Sequence, residues 1–215
     1  MIRPAPIPGA PELPPELPPA LPQFAHIHRT WNVDLGRPVA KLLPGEYYVT
    51  RNDECIFTVL GSCVSACARD RKLGIGGMNH FMLPLDRSKG QTAWGERLVS
   101  AATRYGNVAM ERLVQDILDL GGQRADLEFK VIGGGKVLDI GLDVGAHNAE
   151  FVRQYIKNEG FVLCAEDLGS DFSRKLFYRP LTGDVRVKRL TANVNRAVFD
   201  REQNLSSKLP PGSDP

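Results

Sequence analysis

The residues best suited to chemistry are Cys63, in Thr58-Val59-Leu60-Gly61-Ser62-Cys63-Val64, and His80, in Gly76-Gly77-Met78-Asn79-His80-Phe81-Met82-Leu83-Pro84. A thiol just after a Gly-Ser turn, with an imidazole returned to it by the next strand, has the parts of a cysteine nucleophile and its base. Such a pair performs acyl transfer. Sulfur attacks a carbonyl carbon, the imidazole moves the proton, and water hydrolyses the thioester. The backbone N–H groups around Gly61, Ser62 and Cys63 are the natural donors to the oxyanion. A free cysteine is more often a small buried hydrophobe, so the reading depends on whether the chain brings His80 to Cys63.

The local pattern allows it. Val64 to Arg69 and Ile75 to Leu83 read as short strands around the polar, Gly-ended turn Asp70-Arg71-Lys72-Leu73-Gly74, which makes a β-hairpin. With the fold point between Arg71 and Lys72, Cys63 falls directly opposite His80, where Cβ atoms lie about 4.5–5.5 Å apart. A one-residue slip would turn one side chain to the other face. The expectation is a dyad on neighbouring strands at an exposed, shallow groove, with the imidazole lowering the thiol pKa. Cys67 shares the strand, but at roughly 3.3 Å per residue it stands about 13 Å from Cys63. A zinc ion with bonds near ~2.3 Å does not span that gap, so no metal is expected; the zinc alternative survives only if this segment is helical, which would make the two thiols neighbours. Cys55 and Cys164, alone on apolar runs, read as core. The nearby acids Asp53, Glu54 and Asp70 are candidates to orient the imidazole, each read first as plain surface charge.

The elements that must hold the pair follow from periodicity. Leu43 to Arg51 and Cys55 to Leu60 read as the first strands. A helix from about Trp94 to Leu120 carries Leu98, Ala102, Tyr105, Ala109, Leu113, Ile117 and Leu120 on one stripe and ends at Gly121-Gly122. After a strand at Leu127 to Ile132 comes Gly133-Gly134-Gly135-Lys136. It lacks the spacing of a phosphate loop and has Val137 where a metal-binding hydroxyl belongs, so no nucleotide cofactor is expected. A second helix, about Asn148 to Glu159, buries Phe151, Val152, Tyr155 and Ile156, and His147 before it reads as a surface or capping residue. The strand Phe161 to Ala165 and a hairpin pairing Lys175 to Tyr178 with Val185 to Arg189 complete an α+β class, a layered sandwich with mixed, largely antiparallel strands.

Composition sets the limits. With 215 residues and 42% hydrophobic content there is room for one buried domain, expected over residues 43–199. Residues 1–22 hold nine prolines, a mixture too poor in apolar surface to fold, and the disordered N-terminal tail is expected to reach residue 30. Residues 200–215 read as a flexible C-terminal tail. A net charge of +2 from nearly balanced acids and bases gives no footprint for nucleic acid, and Arg186-Val187-Lys188-Arg189 alternates like a strand with one wet face. No apolar run reaches the ~18 residues of a membrane span. The cysteines lack disulfide-framework spacing, and Met1-Ile2-Arg3-Pro4 lacks the start of a secretory signal. The expected location is the reducing cytoplasm, where Cys63 stays a free thiol.

Taken together, six ordered blocks resemble the CheD family, the chemoreceptor glutamine deamidases of bacterial chemotaxis, over roughly residues 43–190. They are Thr58 to Cys63; Asn79-His80-Phe81-Met82-Leu83-Pro84; Arg104-Tyr105-Gly106-Asn107 with Ala109-Met110-Glu111; Asn148-Ala149-Glu150-Phe151-Val152; Glu166-Asp167-Leu168-Gly169; and Val187-Lys188-Arg189-Leu190. The resemblance carries the family's nucleophile to Cys63, its general base to His80 and its supporting threonine to Thr58, whose hydroxyl is able to orient an imidazole. It departs at His147, where an arginine is expected, and at Ser170, where a second glycine is common. The substrate it implies is a glutamine side chain on the cytoplasmic helices of methyl-accepting chemotaxis receptors, converted to glutamate with release of ammonia. It also implies binding to a CheC-type phosphatase, which makes a non-catalytic docking protein the alternative.

Overall fold

The computed structural model describes residues 15–83, 96–137 and 143–190, together with Val198 and Glu202. Among them are ten strands in two sheets and two α-helices, the expected α+β class. One sheet has the order β1-β2-β4-β9-β10: β1 His28–Asn32, β2 Arg37–Lys41, β4 Cys55–Leu60, β9 Arg174–Arg179 and β10 Asp184–Arg189. The other runs β3-β6-β5-β7-β8: β3 Tyr47–Thr50, β6 Gly76–Asn79, β5 Val64–Asp70, β7 Leu127–Gly133 and β8 Val162–Leu168. Helix α1, Glu96–Asp119, packs on β3, β5 and β6, and α2, Val144–Asn158, packs on β5, β7 and β8. Both helices therefore cover one face of the second sheet. Its other face meets the first sheet, whose inward Ile56, Leu60, Leu176 and Tyr178 share one continuous core with Val64, Cys67 and Val131. No helix among the described residues is long and apolar enough to cross a membrane.

Strand β4 shows why this arrangement forms. Its residues alternate so that Ile56, Thr58 and Leu60 are buried while Phe57 and Val59 are half-buried, the period of a strand with one core face. The chain then leaves the first sheet at Leu60 and enters the second at Val64, so Gly61-Ser62-Cys63 is a three-residue crossing between layers.

Several sequence expectations are corrected. The folded part begins well before residue 43: Phe24 and Ile27 are buried, Ala20 and Leu21 pack on the core, and β1 pairs with β2. The proline density hides this hairpin, because Pro38 stands inside β2 opposite Trp31, where a missing N–H normally argues against a strand. At the other end, Glu202 falls in the expected tail and is buried, at 2% exposure; the rest of 200–215 lies outside the described residues. Helix α2 starts four residues earlier than expected, with the Asp143 side chain accepting from Ala146 N–H as its N-cap. His147 therefore lies inside the helix, exposed, with its Nδ1 bonded to the Asp143 carbonyl. Cys164 is exposed on the edge strand β8 rather than in the core.

Candidate active site

The β5/β6 hairpin closes in a different register from the expected one. Cys67 pairs with Met78, Ala68 with Gly77 and Arg69 with Gly76, and an isolated bridge joins Val64 to Phe81. This register sets Met82, not His80, across from Cys63. The cause is the turn. The Asp70 carboxylate accepts from Lys72 and Leu73 N–H, and Gly74 takes φ +68°, which moves the fold point one residue along the chain. The pairing shifts by two residues, and an even shift keeps every side chain on its face. Cys63 and His80 still meet as diagonal neighbours, and the donor atoms of Cys63, His80 and Glu202 all lie within 4.8 Å of one another. Cys67, opposite Met78, is not in this group.

His80 follows β6 directly, and its backbone N–H and carbonyl are engaged by Glu46 and Gly45. Its ring reaches across to the first sheet, where Thr58 Oγ1 lies 2.7 Å from Nδ1. The same hydroxyl donates to the Leu42 carbonyl at 3.0 Å. A hydroxyl has one proton to give, so with that proton on Leu42 it accepts from Nδ1–H. The imidazole is thereby held as the Nδ1–H tautomer. Nε2 is left with a free lone pair, and this atom is buried without a hydrogen-bond partner among the described residues. Thr58 is thus the hydrogen-bond partner of the His80 ring. Asp53 pairs with Arg37 and Arg179, and Asp70 serves its own turn. Glu54 is fully buried against Arg29, Tyr48 and Thr50, so neither it nor the buried Asp70 is the surface charge expected from sequence.

The Gly61–Cys63 crossing is fixed from behind by backbone. Gly135 N–H donates to the Gly61 carbonyl and Gly134 N–H to the Cys63 carbonyl. At Gly133, φ is +119° and a Cβ would collide with the Cys63 carbonyl oxygen. The triple glycine is therefore the support that lets two backbones touch. From α2, the buried Asn148 donates to the Ser62 carbonyl at 2.8 Å and accepts from Leu83 N–H at 2.9 Å. With the carbonyls held behind, the N–H groups of Gly61, Ser62 and Cys63 converge in front on one carboxylate, that of Glu202. Oε1 accepts from Gly61 at 2.7 Å and Cys63 at 3.3 Å. Oε2 accepts from Ser62 N–H at 2.8 Å and from the Ser62 hydroxyl at 2.6 Å. Nothing in the spacing of the sequence marks Glu202, which stands 139 positions from Cys63.

The dyad is covered rather than laid open in a shallow groove, with Cys63 at 0% and His80 at 1% exposure. Burial drives the His80 pKa down to about 3. Burial first, and then the Glu202 carboxylate, push the Cys63 thiol well above its ordinary range. The resting pair is therefore neutral, a thiol beside an imidazole, contrary to the thiolate expected from sequence. Cys63, His80 and Glu202 also form a possible three-donor set for a metal ion. The Glu202 oxygens, however, already accept four hydrogen bonds, which is the chemistry of an anion in a nest of N–H donors.

Comparison with known proteins decides the family. Residues 82–189 match the family model described as CheD chemotactic sensory transduction. A protein of Halorhodospira halophila named as a probable chemoreceptor glutamine deamidase CheD is 50% identical over 186 residues, covering 86% of this chain and 86% of its own. This chain belongs to the CheD family. Proteins of the same name are 48% identical in Hahella chejuensis, over 86% of each chain, and in Herminiimonas arsenicoxydans, over 87% of this chain and 93% of that one. The family model begins two residues beyond His80, but the relatives align over most of the chain. Ser170, where the resemblance has glycine, is the non-glycine residue with positive φ among the described residues, +69°, and a glycine there meets no steric penalty.

Proposed function

We propose that the chain hydrolyses glutamine side chains to glutamate on the cytoplasmic helices of chemoreceptors, with Cys63 as nucleophile, His80 as proton carrier and Thr58 as its orienting partner. The substrate follows from the names of the relatives. The chemistry rests on one observation: a buried imidazole bonded at Nδ1 to Thr58, with an unpartnered Nε2, beside the Cys63 thiol. As sulfur bonds to the carboxamide carbon, the thiol proton passes to Nε2. The oxyanion is held by the N–H groups of Gly61 and Cys63, with Ser62 beside them. His80 gives the proton to the amide nitrogen, the C–N bond breaks and ammonia leaves. Water then yields a proton to Nε2 as it attacks the thioester. The C–S bond breaks and sulfur recovers the proton, leaving glutamate. A side-chain amide is the accessible target on a folded helix, because the backbone amides are tied into the helical hydrogen-bond ladder.

The test is mass spectrometry of receptor cytoplasmic fragments incubated with the purified protein, using Cys63→Ala as control. A gain of one mass unit at particular glutamines, seen with the wild type and not with the variant, is the expected result. If both proteins bind the fragment and leave every glutamine unchanged, the protein is a docking module instead.

A further inference from the structure

Glu202 occupies the donors that the proposed reaction needs for its oxyanion. We propose that the Gly61–Cys63 cradle is a binding site for the γ-carboxylate of glutamate, and that Glu202 fills it in cis as an internal copy of the reaction product, holding the site closed until a receptor helix displaces it. The identification as product rests on the deamidase reading above; the occupancy of the cradle does not.

Four features carry the inference. First, each carboxylate oxygen accepts two hydrogen bonds, Oε1 from Gly61 and Cys63 and Oε2 from Ser62 N–H and Oγ. Second, those donors select a carboxylate. A glutamine in the same pose would turn its NH₂ toward Ser62 N–H, donor against donor, and only the hydroxyl of Ser62 is able to rotate away. Third, the side chain that fills the cradle is a glutamate, the residue the reaction makes, and its oxygen lies within 4.8 Å of both the Cys63 sulfur and a His80 nitrogen. Fourth, it is presented as a receptor side chain would be. Val198 and Glu202 each have helical conformation and are buried. Burial is the first cause of the raised Cys63 pKa, and the carboxylate facing the thiol adds to it.

The experiment compares the full-length wild type with Glu202→Ala and Glu202→Gln. It follows alkylation of each cysteine by iodoacetamide with peptide mass spectrometry, and deamidation of receptor fragments in parallel. Cys67, buried on the same strand at 1% exposure, reports unfolding. Alkylation of Cys63 in Glu202→Ala should accelerate by about ten-fold or more with Cys67 unchanged, since removing the internal ligand shifts the population to the open site. Butyrate, a monocarboxylate of the right reach, should slow alkylation of Cys63 in Glu202→Ala and have little effect on the wild type. Deamidation should start faster in the variant. Glu202→Gln keeps the size and the Oε1 contacts, so it should also react faster even if the alanine variant is poorly folded. Wild-type alkylation rates in both folded variants, or no protection by butyrate, would overturn the proposal. So would loss of deamidation in Glu202→Ala with Cys63 freely alkylated, because Glu202 would then belong to the machinery. Faster, butyrate-sensitive alkylation without deamidation by any of the proteins would leave the carboxylate site standing and sink the deamidase reading.

Discussion

Replacing Thr58 by valine keeps the shape of the side chain and removes only the hydroxyl that joins His80 Nδ1, at 2.7 Å, to the Leu42 carbonyl, at 3.0 Å. Thr58 and His80 are each 1% exposed, so water does not replace the lost partner, and Nδ1–H is left buried and unsatisfied. Such a group costs about 1–3 kcal/mol. For a domain of this size that is a fall in Tm of roughly 2–4 °C per kcal/mol. The effect on rate is smaller than removing the imidazole. Loss of an orienting hydrogen bond worth ~1 kcal/mol slows turnover by about five-fold, whereas removal of a general acid–base group costs ~10²–10⁴-fold. The assay is ammonia release from a receptor fragment by Thr58→Val and His80→Ala, with nitrogen NMR of the His80 ring to read the tautomer. The variant should show a mixture of ring tautomers, where the wild type shows Nδ1–H alone. Equal loss of activity in two folded variants would refute the ranking. Full activity in Thr58→Val with the tautomer unchanged would show that another group orients the ring.

Burial holds the His80 pKa near about 3, below the usual value near ~6.5, so the unfolded chain binds a proton that the folded chain refuses. The stability this gives is present above pH ~6.5 and is lost as pH falls toward the folded value, amounting to about 2 kcal/mol by pH 5; urea unfolding at pH 7 and pH 5 should show it, and His80→Asn should lack that part of the slope. Ser170→Gly should raise stability by about 0.5–1 kcal/mol, because relief of a left-handed φ worth ~1–2 kcal/mol outweighs the extra freedom of glycine when unfolded; a lower Tm would mean that the Ser170 side chain makes a compensating bond. Phe24→Ala should cost about 3–5 kcal/mol, since the ring is 1% exposed and meets Tyr47 and Tyr48 edge-on at 5.1 Å; a change below ~1 kcal/mol in chemical denaturation would return residues 20–27 to the status of a loose tail.

The sequence by itself determined the local pieces: the alternation of β4, the Leu113–Ile117 part of the α1 stripe (Leu98 and Ala102 lie outside the described side chains), the hairpin that carries Cys63 and His80, and the fact that the two share a face. Each depends on a period of two or of 3.6 residues read over a short span, and the face survives a two-residue error in register because the strand period is even. The limits of the hairpin turn were less legible, since they depend on how the Asp70 carboxylate binds two N–H groups. Only the tertiary structure decided the rest. Thr58 and His80 lie 22 positions apart on different sheets, and the tautomer exists because those sheets pack face to face. Asn148 and the triple glycine reach the Gly61–Cys63 crossing from another helix and another strand, through contacts that have no periodicity in the chain. Glu202, 139 positions beyond Cys63, arrives by a long-range docking in which one carboxylate finds four donors. Whether the dyad is open or closed, and therefore whether the thiol is charged, is set by burial, a property of the packed whole and not of any segment.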